Sequence, residues 1–240
     1  MLCSQSFMAV LLPTKNRRWL GIEGFWEKRK DLLTQRSDAT EPDTFFWGPP
    51  ENNSGGFSTK ETWKFLRPRA AAKDWSKVVW FKNMVPKHAF NFWVANLDRL
   101  PVNERLVQWG LMDIGTCTFC STDEETRDHL LFSCRFAVEI WDRVKHRLGA
   151  PRIFFTSGQA MIGWLVQQRW SPRRRLLSLI VCQATVYHIW RERIDRKHGR
   201  PPSTPLAIFN KIDRVTKDIL LARRRNKGCT TLLSLWFKYS

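Results

Sequence analysis

The stretch "CTFCSTDEETRDHLLFSC", Cys117 to Cys134, places three of the chain's six cysteines and one of its five histidines within eighteen residues. Its spacing is C-x2-C-x8-H-x4-C, made by Cys117, Cys120, His129 and Cys134. Two cysteines separated by two residues need only a tight turn to aim both sulfurs into one small volume. The second half, "EETRDHLLF", has a helical pattern, so His129 and Cys134 lie across one short helix and its end.

Those two pairs supply the four tetrahedral positions that a structural zinc takes from thiolates and imidazole. The H-x4-C half equals that of retroviral-type zinc knuckles, with a gap of eight rather than four before it. Two other readings stand beside this one. Buried cysteine often serves as a small apolar residue, and C-x-x-C can be a redox pair. No thioredoxin-like βαβ pattern surrounds the pair. Four protein ligands leave no open position, so one closed, structural zinc ion is expected, without hydrolytic chemistry at the metal. Asp123, Glu124, Glu125 and Asp128 read as a solvated acidic loop, Asp128 being the partner of a ligand. Cys3 and Cys229 fall in expected tails, and Cys182 lies mid-helix among apolar residues.

Outward from this segment the chain reads as helical. Pro86 sits at a first helical position, and Ala89, Phe90, Trp93 and Leu97 follow at spacings of three and four, an apolar face. "NERLVQWG" is a short helix with Asn103 as cap and Gly110 as stop, and "FAVEIWDRV" starts a helix after Cys134. Two long helices follow. Leu176, Ile180, Ala184, Tyr187, Trp190 and Ile194 form the core stripe of the first. Phe209, Ile212, Thr216 and Ile219 mark the second, which Ser203 or Thr204 caps ahead of Pro205. On the N-terminal side, residues 43–58 read as a small hairpin, and Ser58 with Glu61 as a capping box. The expected fold is mainly α: a helical zinc-knuckle module with a small N-terminal β-hairpin and a C-terminal antiparallel helical pair. Its divisions are a weakly ordered segment over 1–42, the zinc-binding domain over 43–148, a basic helical hairpin over 149–227 and a tail over 228–240.

The formal net charge of +18 over 240 residues argues for an anionic partner, with RNA or DNA first. Residues 171–240 hold sixteen Lys/Arg against four Asp/Glu. The expected phosphate-binding residues are Arg173, Arg174, Arg175, Arg191, Arg193, Arg196, Lys197, Arg223, Arg224 and Arg225. Binding through phosphates would be nonspecific and salt-dependent; the bland alternative is a solvated helical surface. No apolar run nears the roughly 20 residues of a membrane span. The N-terminus lacks a basic n-region and a cleavage site. An intracellular location is expected, with the nucleus favoured over the cytoplasm by "RRRNK".

An ordered series of motifs extends beyond the cysteines. "FSTKETWKFLR", "WSKVVWFKNMVPKHAFNFWVANLDRLPVNERLVQWGL", "CTFCSTDEETRDHLLFSCRFAVEIW" and "IWRERIDRKHGR" together resemble the reverse-transcriptase zinc-binding domain of plant non-LTR (LINE-type) retrotransposons, over about residues 43–200. Val102 and Glu104 stand where that family more often has Thr and Asp. The resemblance implies association with a polymerase encoded elsewhere and with nucleic acid. The paired aspartates of a polymerase do not occur in this sequence, so no catalytic residues and no enzymatic activity are expected. No small-molecule substrate is expected either. The rival readings are a zinc-stabilised protein-interaction scaffold and a retroelement remnant without function.

Overall fold

The structure, a computed structural model, describes residues 59, 60, 63, 71, 73–150, 152–167, 169–226, 229 and 231–238. The chain divides after Ala70 into two units, and the architecture below is that of the second. The expected hairpin over 43–58 and the cap at Ser58 lie outside the described residues, as does the segment 1–42.

Among the described residues the chain is mainly helical. Helix α1 spans Ser76–Val79, α2 Pro86–Asn96, α3 Asn103–Gln108, α4 Arg135–Arg147, α5 Gly158–Gln167, α6 Pro172–Lys197, α7 Pro205–Ala222 and α8 Leu232–Phe237. A wide turn, His129–Ser133, lies between α3 and α4. The expected punctuation holds at several ends. Pro86 opens α2, and the Thr204 hydroxyl accepts from the N–H of Ala207 at the start of α7. Gly110 follows α3 at φ +70°, a left-handed conformation that glycine adopts without a Cβ penalty. There the N–H of Leu111 reaches back to the carbonyl of Leu106 and closes the helix end.

Helix α6 is the axis of the fold. At 1.5 Å per residue its 26 residues extend roughly 39 Å, and α2, α4, α5, α7, α8 and the wide turn all pack on it. A single stripe of contact was the expectation. Instead every residue from Leu177 to Val186 is buried, because neighbours surround its middle on all sides. Each apolar side chain taken fully out of water, such as Ile180 or Ile189, contributes roughly 1.5–3 kcal/mol. Helix α7 packs back along α6 as the expected hairpin, burying Ile208, Ile212, Thr216 and Leu220 while Phe209 and Ile219 flank that row. In α2 the buried positions are His88, Ala89, Phe92 and Ala95, and Phe90, expected in the apolar face, is 58% exposed.

Polar side chains close the seams. Gln183, in the buried middle of α6, donates to the carbonyls of Val78 and Val79 at 3.0 and 2.9 Å and so satisfies the open end of α1. Asp213 of α7 accepts from the Trp236 indole of α8 at 2.9 Å and pairs with Arg147 of α4 at 3.4 Å. The C-terminal segment expected to be a tail returns Cys229, Leu232 and Trp236 to the core, each at most 1% exposed. The aromatic ring of Trp236 requires that burial, and its N–H requires Asp213.

Candidate metal centre

The loop after α3 makes the first half of the site. The N–H of Cys117 donates to the carbonyl of Asp123 at 2.7 Å, and the N–H of Ser121 donates back to the carbonyl of Cys117 at 2.9 Å. This tight turn puts Ser121 in the left-handed region at φ +58°. Both sulfurs then face inward, and the N–H of Phe119 points at Cys117 Sγ, 3.4 Å away.

The second half depends on the wide turn. In a regular α-helix, residues five apart sit about 140° from each other around the axis. Here the N–H of Cys134 bonds to the carbonyl of His129, five residues back, at 2.7 Å. The widened turn brings both side chains to one place. Thr126 starts it, its hydroxyl accepting from the N–H of His129 at 3.0 Å. Trp141 of α4 holds its back, donating to the carbonyl of Leu131 at 2.7 Å. Such turns are frequent at functional sites.

The ligand atoms of Cys117, Cys120, His129 and Cys134 lie within 4.8 Å of one another. Zinc bonds of about 2.3 Å to sulfur and 2.0 Å to nitrogen, in a tetrahedron, imply about 3.8 Å between sulfurs and about 3.5 Å from sulfur to nitrogen. Cys117 Sγ and Cys134 Sγ are 3.9 Å apart, and Cys120 Sγ is 3.4 Å from His129 Nε2. The cluster therefore fits a zinc site, and those sulfur distances are far beyond a disulfide bond. The three cysteines are at most 6% exposed, so the site is closed.

The four ligands shift one another's proton affinities. The hydrogen bond from Cys117 to Cys134, then burial, pushes the Cys117 thiol far up, and the same bond pulls Cys134 below its ordinary value. Burial would push Cys120 up, but the N–H of Asp123, the hydroxyl and N–H of Thr122, and His129 overcome it and bring the thiol down to about 6. Burial would lower His129; Cys120, Cys117 and their negative charge outweigh it and raise it. Cys120 and Cys134 are thus shifted toward the thiolate and Cys117 toward the thiol, and a metal would displace whatever protons the sulfurs and the imidazole still hold.

The acidic loop differs from its expectation. Asp128 does not support a ligand: its carboxylate takes a bidentate pair from Arg127, both bonds 2.9 Å, and accepts from the N–H of Gly158 at the start of α5 at 3.0 Å. Asp123 is the acid at the edge of the cluster, with Oδ2 3.6 Å from Cys120 Sγ and 3.9 Å from His129 Nε2. Glu125 is not solvated at all, being 0% exposed.

Glu125 is the hub that sequence reasoning missed. Its Oε1 accepts from the N–H of Asn103 at 2.9 Å and from Arg193 Nε and Nη2 at 3.1 and 2.9 Å. Its Oε2 accepts from the N–H and the hydroxyl of Thr118, between the two paired cysteines. Arg193 Nη2 also donates to Asn103 Oδ1 at 2.9 Å, and Asn103 Nδ2 donates to the carbonyl of Thr116 at 2.7 Å. Asn103, expected to cap α3 with its own side chain, instead gives that side chain to the metal loop, while Glu125 meets the N-terminal N–H. One carboxylate thereby fastens the metal loop, the start of α3 and the long helix α6 together.

Residues 57–141 match the family described as zinc-binding in reverse transcriptase. All four candidate ligands and Glu125 fall within the match. No curated protein and no solved structure matches the chain.

The ten basic residues singled out from the sequence separate by environment. Arg193 is 3% exposed and committed to Glu125. Arg196 pairs with the buried Glu192 at 2.9 Å, donates to the carbonyl of Ser203 and lies over the rings of Phe119 and Phe136. Arg174 donates to the carbonyls of Leu148 and Gly149 and stacks on Trp170, and Arg223 donates to the carbonyl of Met84. Arg175 has its Nε buried. Arg173, Arg191, Lys197, Arg224 and Arg225 are exposed. Among the described residues no helix is long and apolar enough to cross a membrane.

Proposed function

We propose that this chain is a zinc-binding, nucleic-acid-associated accessory module derived from a reverse-transcriptase protein of a plant LINE-type retrotransposon. It carries one structural zinc and acts without polymerase or nuclease activity of its own. The observation that carries this reading is the Cys117, Cys120, His129 and Cys134 cluster, with zinc-compatible spacings, inside the stretch matched to zinc-binding in reverse transcriptase. The metal stabilises the loop that Glu125 docks on α6, and the docked module presents a basic exterior.

The net charge of +18 supports RNA or DNA as the partner. Contact falls to the exposed members of the basic set: Arg173, Arg191, Lys197, Arg224 and Arg225. Phosphate binding by about five cations gives a log–log salt slope of about −4 to −5 on duplex DNA, with little choice among sequences. A reverse transcriptase encoded elsewhere is the proposed protein partner and the nucleus the proposed site of action. A second reading, a zinc-stabilised interaction scaffold, draws support from the inward commitment of Arg174, Arg193, Arg196 and Arg223.

Metal analysis of purified protein should give about one zinc per chain, with sulfur-rich ligation by X-ray absorption; folded protein without metal rejects the zinc reading. RNA and DNA binding by zinc-loaded protein across a salt series separates the two partner classes. Salt-sensitive binding supports the nucleic-acid module, and its absence at low ionic strength leaves the scaffold.

A further inference from the structure

Helices α1 and α2 present a further surface, and Arg223 reaches the connection between them at the carbonyl of Met84. Trp80, Trp93 and Phe90 form a chain of rings: Trp80 and Trp93 centroids are 6.1 Å apart, and Phe90 and Trp93 centroids 5.7 Å. Trp93 packs against the core and anchors the row. The outer two rings stay in water, Trp80 at 44% and Phe90 at 58% exposure. Single exposed aromatics are ordinary, but a touching row of three large rings is a surface with a use.

Its charge says which use. From residue 71 to 97 the sequence holds four lysines and one acid, Asp74, and no arginine or glutamate. Lys77 lies three residues before Trp80, and Lys87 three before Phe90 on the same face of α2. Lys82 sits in the connection between the two helices, and all three lysines are exposed. A second exposed apolar group, Trp109, Leu111 and Ile114, makes the contrast. Its surroundings, Glu104, Arg105, Asp113 and Lys197, which reaches Met112, balance two cations against two acids.

We propose that Trp80, Phe90 and Trp93 form a stacking platform for the unpaired bases of single-stranded nucleic acid, with Lys77, Lys82 and Lys87 against its phosphates. The inference rests on the nucleic-acid reading above and deepens it: the arginines hold any phosphate backbone, and this platform selects strands whose bases are free. Every base has a π-face, so the platform is tolerant of sequence. A duplex keeps its bases stacked on each other and cannot use it.

The test compares single-stranded and duplex oligonucleotides of one sequence on the zinc-loaded full chain and its variants. Trp80→Ala and Phe90→Ala should each weaken single-strand binding by about tenfold, leave duplex binding unchanged and leave the salt slope unchanged. Lys77→Ala and Lys87→Ala should each reduce the single-strand slope by about one. Both aromatics are exposed, so the variants should keep the zinc and the helix content of the parent. Independently of any variant, photo-crosslinking of a 5-bromouridine oligonucleotide to the unaltered protein should label the peptides carrying Trp80 or Phe90. Equal losses on single strands and duplex, or none on either, overturn the platform while leaving the nucleic-acid reading intact. So does a change in self-association in the aromatic variants without a change in single-strand binding, which would assign the surface to a second copy of this chain. Failure of the unaltered protein to bind either oligonucleotide overturns both.

Discussion

Two of the buried polar clusters on helix α6 are built in opposite ways. Toward its C-terminal end, Arg193 meets Glu125 and Asn103, and both carboxylate oxygens of Glu125 have donors. One and a half turns earlier, His188 meets His88 of α2 with ring centroids 6.0 Å apart, and Tyr187 lies 4.7 Å from His88. There, both ring nitrogens of His88 and Nε2 of His188 are buried without a hydrogen-bond partner. The first cluster is a charged network whose members satisfy each other. The second keeps its groups neutral to remain buried. A buried polar group specifies structure when it is paired, and otherwise becomes a place where the fold is sensitive to protons.

The largest effect should come from removing the metal on the satisfied side. Cys120→Ser is expected to abolish zinc binding and to unfold the metal loop together with the start of α3, because binding and local folding are one equilibrium. Protease protection and zinc content measured on the same sample check this; a folded, metal-free loop would contradict it.

Next in size is the hub itself. Glu125→Ala or Arg193→Ala leaves a buried charge without its partner, and each should cost about 3–5 kcal/mol. The double variant should be less damaging than the sum of the two, since neither charge is then stranded. Denaturant unfolding of the four proteins closes the cycle. An additive result would mean that the pair is not coupled as its geometry requires.

The unsatisfied side should show itself through pH. Burial, then His188, Lys87 and Arg223, hold His88 down at about 3; burial, then Lys87 and Lys211, hold His188 at about 4. In the unfolded chain both titrate near 6.5. Between about 6.5 and those values the unfolded state binds protons that the folded state refuses, so stability falls as pH falls through this window. His88→Phe should make that fall shallower by up to about 1.4 kcal/mol per pH unit. Zinc content must be followed alongside, since the ligands also take up protons in acid. An unchanged slope at equal zinc content would remove His88 from the account.

The smallest structural effect belongs to the exposed arginines. Arg173→Ala and Arg224→Ala should each change stability by less than about 0.5 kcal/mol. Should the nucleic-acid reading hold, each should also reduce the salt slope of binding by about one. A large loss of stability would mean that these side chains belong to the core contacts, as Arg193 does.

The sequence by itself determined what local chemistry can determine. The spacing of Cys117, Cys120, His129 and Cys134 marks the four ligands, while the widened turn that puts His129 and Cys134 in one place is held by Thr126 and by Trp141 of α4. Pro86, Thr204 and Gly110 mark helix ends for reasons contained in a few residues. Periodicity likewise paired α6 with α7. Tertiary structure decided what depends on distant partners. Arg193 and Arg173 look alike in the sequence, on one basic helix, yet only Arg193 faces a carboxylate 68 positions away. Phe90 has the spacing of a core residue and stands in water, because α2 buries the neighbouring face, with His88, Ala89, Phe92 and Ala95, instead. Glu125 reads as one acid among four in a loop until the fold closes around it. A charge in sequence has only a type, and burial and a partner, which come from elements far along the chain, decide whether it binds a ligand or holds the protein together.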